Sequence, residues 1–166
     1  MITNEQQAKI RLLSDNELYP QAIEFIRGIG RSLPATQING LLNVSLANTY
    51  DLLGEFIERQ GNRTTWRRED AYIREFYKRL PNKLKQLEVY APSIMQSTAE
   101  QSSREDMQAV KMLLAREFIQ HLLAENGYMG VTKAVQDADL DNTRNQGRPL
   151  GDRHGDRGPL TRQGRP

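Results

Sequence analysis

Cysteine is absent from this chain and histidine occurs only as His121 and His154. Disulfides, thiolate chemistry and cysteine-based zinc sites are therefore excluded, and two histidines do not assemble a multi-histidine metal cluster. Long apolar runs are also missing. Mean hydropathy is −0.70, and no stretch approaches the roughly 18 consecutive apolar residues of a transmembrane helix. The opening MITNEQQAKIRLLSDNEL has neither a basic flank nor an apolar core, so no secretory signal is read there and a cytoplasmic protein is expected. Alternating β-branched runs separated by turn pairs, the mark of a sheet, are not found.

What the 166 residues do contain is helical periodicity. Pro20, Pro34, Pro81 and Pro92 divide the first 130 residues, and the stretches between them carry apolar side chains three and four apart. The reading is an all-α bundle of about five helices over residues 1–135, followed by a disordered tail over 136–166.

A first helix is expected over 4–16 with Ile10 and Leu13 inward. A second follows Pro20 with Ala22, Ile23, Phe25 and Ile26, and stops at Gly28 and Gly30. A third runs from 35 to 60 on a stripe of Ile38, Leu41, Leu42, Leu46, Thr49, Leu52, Leu53, Phe56 and Ile57. Gly40 and Gly54 each weaken it by about 1 kcal/mol relative to Ala, a cost to be met by burial or by a close neighbouring helix.

The fourth helical region covers 66–90, with Ile73, Phe76, Tyr77, Leu80, Leu84 and Leu87 inward and Pro81 kinking or dividing it. A polar linker over 92–102 leads to a capping box of Ser102 with Glu105, then a fifth helix through Met107, Val110, Leu114, Phe118 and Leu122 to Asn126, stopped by Gly127. Beyond it, residues 142–166 hold 6 Arg, 5 Gly and 3 Pro but only Leu150 and Leu160 as large apolar groups, too few to offset chain entropy. This segment, with its near-duplicated GDRHGDRG, resembles tails that bind RNA without fixed structure, and equally a solubilising tail.

Charge is unevenly distributed. The net charge is only +2, yet residues 1–62 carry 5 basic and 7 acidic groups, while residues 63–88 carry 8 basic and 4 acidic. On a wheel of about 100° per residue with Arg67 at 0°, Arg74, Lys78 and Lys85 fall within about 20° of it, and the apolar set occupies roughly 180° to 280°. Arg68, Arg79 and Lys83 form a second row near 100° to 160°. A solvated face whose stems cover the core is one reading of such rows. A polyanion-binding surface is the other, favoured by the local excess of cations. Trp66 and Tyr72 are read as core or hinge aromatics, with base stacking as their alternative.

Other candidates are weaker. Gly28-Ile29-Gly30 lacks the strand and third glycine of a dinucleotide fingerprint. His121 lies one turn from Glu117 and from Glu125 without a completing ligand, and is read as a partly exposed helix histidine. Glu105 and Asp106 splay apart on a helix and serve its end. No metal, cofactor or catalytic role is expected.

The Leu-Pro-Ala-Thr-Gln-Ile segment at Leu33 to Ile38 leading into LLNVSLANTYDLL, the basic fourth region, and the closing AREFIQHLLAENGYMG together resemble the small helical subunit of type III (Csm-type) CRISPR effector complexes, across about 15–130. The resemblance implies a non-catalytic RNA-binding subunit of an antiviral defence ribonucleoprotein. Several copies would lie beside the guide-RNA complex and other effector subunits, with cationic faces along the single-stranded target RNA. The contacts it implies are Arg67, Arg74, Lys78 and Lys85, with Arg68, Arg79 and Lys83 beside them. Rival readings are a helical protein-interaction module and a DNA-binding regulator, the latter lacking a clear recognition helix.

Overall fold

The structure, a computed structural model, describes residues 2–47, 49–95 and 103–146, with side chains described as far as residue 138. Every regular element among the described residues is helical, in five continuous runs. The chain falls into two units, Met1–Thr132 and Lys133–Pro166. The first is a helical bundle.

The first run joins α1 (Asn4–Leu13), a π-helical turn (Ser14–Leu18) and α2 (Tyr19–Arg27). Thr3 and Gln6 close a reciprocal capping box: the Thr3 hydroxyl accepts from the Gln6 amide N–H, and the Gln6 side chain accepts from the Thr3 N–H. The widened turn lies directly before Pro20, which has no N–H with which to continue the helical ladder. The two helices expected around Pro20 are therefore one continuous run. Gly28 ends α2 and Gly30 adopts φ +77°, in the left-handed region that side chains avoid.

The long third helix expected over 35–60 is instead two, α3 (Ala35–Ala47) and α4 (Tyr50–Gly61). Thr49, read in the sequence as one more member of the stripe, caps α4, its hydroxyl accepting from the Leu52 N–H. Leu46 and Leu52, on either side of the break, are exposed, because the change of direction ends the shared face. Among the described residues nothing stands within 4 Å of a Cβ built on Gly40 or Gly54, so none of the described helices makes the close crossing those glycines suggested.

A 3-10 turn (Arg68–Asp70), α5 (Ala71–Leu87), a second 3-10 turn (Glu88–Tyr90) and α6 (Ala91–Met95) make the fourth run. Pro81 lies inside α5 without dividing it. Having no N–H, Pro81 leaves the Tyr77 carbonyl without its helical donor. Gly61 packs at that point, where an added Cβ would be 3.3 Å from the Tyr77 oxygen. The segment after Pro92, expected to be polar linker, begins as α6, with Ala91, Ile94 and Met95 buried. The rest of that linker and the Ser102 cap lie outside the described residues. Ser103 performs the capping, its hydroxyl accepting from the Asp106 N–H at 3.0 Å.

The last helix, α7 (Arg104–Gln146), runs through Gly127 and Gly130 rather than stopping there. Neither glycine has a positive φ, so neither makes the left-handed turn by which a glycine often closes a helix. Asn126, read as the end of the helix, is buried and clamps the backbone of Leu33. Its Oδ1 accepts from the Leu33 N–H at 2.6 Å and its Nδ2 donates to the Leu33 carbonyl at 3.0 Å. Residues 136–146 of the expected disordered tail are thus helical, and the remainder of the tail lies outside the described residues.

Aromatic rings tie the core together. Phe25 of α2 meets Phe76 of α5 and Phe118 of α7 edge-on at 5.6 and 6.0 Å, and Tyr77 meets Phe56 of α4 at 6.3 Å. Tyr77 donates to the Gln37 carbonyl, and burial pushes its phenol up to about 12. Replacing exposed Gly54 by Ala should raise stability by about 1 kcal/mol, whereas Gly61→Ala should cost about 1–3 kcal/mol because a helix backbone must retreat. Urea unfolding of the two variants measures both signs.

Candidate nucleic-acid interface

Helix α5 positions the basic side chains by burying the opposite side. Ile73, Phe76, Tyr77, Leu80, Leu84 and Leu87 are all buried, which fixes the rotation of the helix and leaves the remaining arc to Arg74, Lys78, Arg79, Lys83 and Lys85. Because Pro81 does not interrupt the helix, Arg74, Lys78 and Lys85 keep one phase and span about 17 Å at 1.5 Å per residue. Arg67 and Arg68 are not on this helix. Arg67 is extended and Arg68 opens the 3-10 turn, so the wheel that placed them in the two rows does not hold for them, and the row is shorter than the sequence implied.

The two rows differ in what they touch. Arg79 donates from Nη1 to the Gly28 carbonyl at 3.1 Å, at the C-terminal end of α2 where carbonyls lack partners, and its guanidinium lies 5.6 Å from the Phe25 ring centroid. Lys83 donates to Gln21 Oε1 at 2.8 Å, and Gln21 donates in turn to the Tyr90 hydroxyl. Both cations are thus held by neutral acceptors, with no carboxylate at ion-pair distance among the described residues. Arg74 is half-buried, reaching the Trp66 carbonyl at 3.4 Å while its Nε has no partner among the described residues.

Carboxylates do little to cancel this row. Arg67 meets Glu69 at 3.6 Å with both side chains exposed, a pair worth little in water. Arg68 and Lys78 are exposed and have no ion pair among the described residues. Glu88, nearest in sequence to Lys85, is engaged by the Lys111 ammonium and the Tyr50 hydroxyl. Burial works to raise its carboxyl, but the bonds from Lys111 and Tyr50 and the charges of Lys111 and Lys85 outweigh that and hold it below its ordinary value. Desolvation first, and then Glu88, push the Tyr50 phenol above its usual range.

Two cations escape the helix-wheel reading because they sit on other segments. Arg31, in the turn after α2, stacks over Tyr72 at 4.8 Å, and Arg63 lies over Trp66 at 5.4 Å. Sequence gives no signal for the first pairing, which joins residues 41 apart. Trp66 donates its indole N–H to the Gln60 carbonyl, and both aromatics are half-buried against the core, as a hinge or core role requires.

His121 is not isolated either. Its Nε2 lies 2.7 Å from the Ser14 hydroxyl, which also donates to Glu117 at 3.0 Å, and Tyr19 tilts over the imidazole at 5.2 Å. Ser14 is buried in the π-helical turn, a position no motif flags. The cluster pins the first run to α7. Glu125 turns instead to Arg27, accepting at 2.8 Å. Among the described residues no group of three His, Asp or Glu side chains is placed to hold a metal ion, and no helix is long and apolar enough to cross a membrane.

The Glu88 arrangement makes a pH-dependent contribution. A carboxyl held below its unfolded value stabilises the fold above that value, and the contribution is lost as pH falls through the folded value. Glu88→Gln should therefore lower stability by up to about 1 kcal/mol at neutral pH, with the gap to the parent closing as pH drops below the ordinary value of 4.5. Thermal melts of both proteins across that range measure it. No protein-family model, curated protein or solved structure matches this chain.

Proposed function

We propose that this protein is a non-catalytic helical subunit of an RNA-guided ribonucleoprotein of the type III CRISPR kind, holding the single-stranded target RNA by its phosphates. One observation carries the reading: of the seven basic residues from Arg67 to Lys85, only Arg67 has a carboxylate at ion-pair distance among the described residues, and that pair is exposed. A cationic face left uncompensated by its own protein attracts a polyanion and releases that polymer's counterions on contact. Phosphate contacts carry no sequence information, and in an RNA-guided assembly base pairing with the guide supplies it. The resemblance in the third and last helices supplies the type of assembly, its several copies of this subunit and its other protein partners.

The rival reading, a protein-docking module, draws on Tyr128 and Val131, which stand 62% and 65% exposed on α7. A complex that survives nuclease and high salt with no nucleic acid recovered would favour it. The RNA reading is tested by reversing Arg68, Lys78 and Lys85 together to Glu, three exposed positions. Affinity for a single-stranded RNA should fall more than about tenfold at low salt, with the far-UV circular dichroism of the parent retained. Unchanged affinity would overturn the proposal.

A further inference from the structure

Beside the cationic row, α2 and α5 enclose an open groove of about 290 Å³ lined by Gln21, Glu24, Phe25, Arg79, Asn82 and Lys83, with Gln86 at its edge. That size lies just below the range that takes drug-sized ligands and suits a single flat heterocycle. Its chemistry is specific in three respects. The Arg79 guanidinium is fixed from below by the Phe25 ring and from the side by the Gly28 carbonyl, so it is a planar surface already ordered before anything binds. Asn82 and Gln86, one turn apart, are exposed and have no hydrogen-bond partner among the described residues, and each amide offers both a donor and an acceptor. Glu24 is also exposed and without a side-chain partner there, and a carboxylate offers acceptors alone.

A stacking guanidinium, adaptable amides and one acceptor-only group are what recognition of an unpaired base uses, since RNA-binding proteins stack splayed bases on aromatic or guanidinium planes and read their edges. The carboxylate selects among bases. Cytosine, adenine and guanine each present an exocyclic amino group that donates to it, whereas uracil has no amino group and offers only an N3–H set between two carbonyl oxygens that a carboxylate repels. Lys83, anchored on Gln21 through one of its three N–H donors, has the others free for the phosphate of the same nucleotide.

We propose that this groove receives one amino-bearing base, cytosine being the pyrimidine of that kind, of an RNA strand laid along α5, with the amino group on Glu24 and the ring on the Arg79 guanidinium. The inference rests on the RNA-binding reading and adds to it a base preference that phosphate contacts alone do not give.

The test is the affinity of the full chain for fluorescent 12-mers of cytidine and of uridine, two pyrimidine strands with equal phosphate charge. The parent should bind oligocytidine at least about fivefold more tightly. Glu24→Gln, which keeps the size and lies on an exposed helix position, should bring the two within about twofold of each other. Its lost negative charge strengthens both affinities alike, so the ratio is the readout. Equal binding of both strands by the parent, or a ratio unchanged in Glu24→Gln, would overturn the groove proposal and leave the phosphate reading standing. Failure of the parent to bind either strand would overturn both.

Discussion

Burial of one face of α5 is the constraint from which the rest of the bundle follows. Six of its side chains are buried, with Phe76 edge-on to Phe25 of α2 and Tyr77 edge-on to Phe56 of α4. Full burial of side chains of this size is worth about 1.5–3 kcal/mol each, which no surface charge pattern can override. The rotation of the helix is therefore set by its apolar residues. The basic groups face outward because no other orientation is open to them, and the same burial that stabilises the bundle presents the cationic face.

Neighbouring elements reinforce that placement. Gly61 allows α4 to approach the α5 backbone where Pro81 has removed a donor, and the end of α2 accepts Arg79 at the Gly28 carbonyl. Asn126 and the cluster of Ser14, Glu117 and His121 fasten α7 to the turn and helix that precede α3. The cationic row is thus carried on a helix held from several sides by side-chain to backbone bonds. Rigid placement of charge lowers the entropy lost when a strand is bound.

Much of this was legible in the residues. The all-α class and the inward set of α5 follow directly from apolar spacing, and every inward residue named for α5 is buried. Punctuation was harder to read. Thr49 fits an apolar stripe and a helix cap equally well, and only the packing of α3 and α4 decides for the cap. Gly127 and Asn126 look like a terminus, but glycine does not turn left-handed when the following residues continue the helix, and the Asn126 amide serves Leu33, 93 positions away. Arg67 and Arg68 were placed on a helix because the pattern extends backward from Ala71, while the turn at Arg68–Asp70 carries them off its phase. Contacts between distant segments, such as Ser14 with His121 and Arg31 with Tyr72, leave no local trace.

The central claim is electrostatic, and it is addressed most directly by the salt dependence of binding to a single-stranded RNA of mixed sequence. Contact with about four phosphates predicts that the logarithm of the association constant falls with the logarithm of salt concentration at a slope of roughly −2.8. A slope near zero, with binding still measurable, would show that the outward cations of α5 are not what holds the strand and would contradict the account.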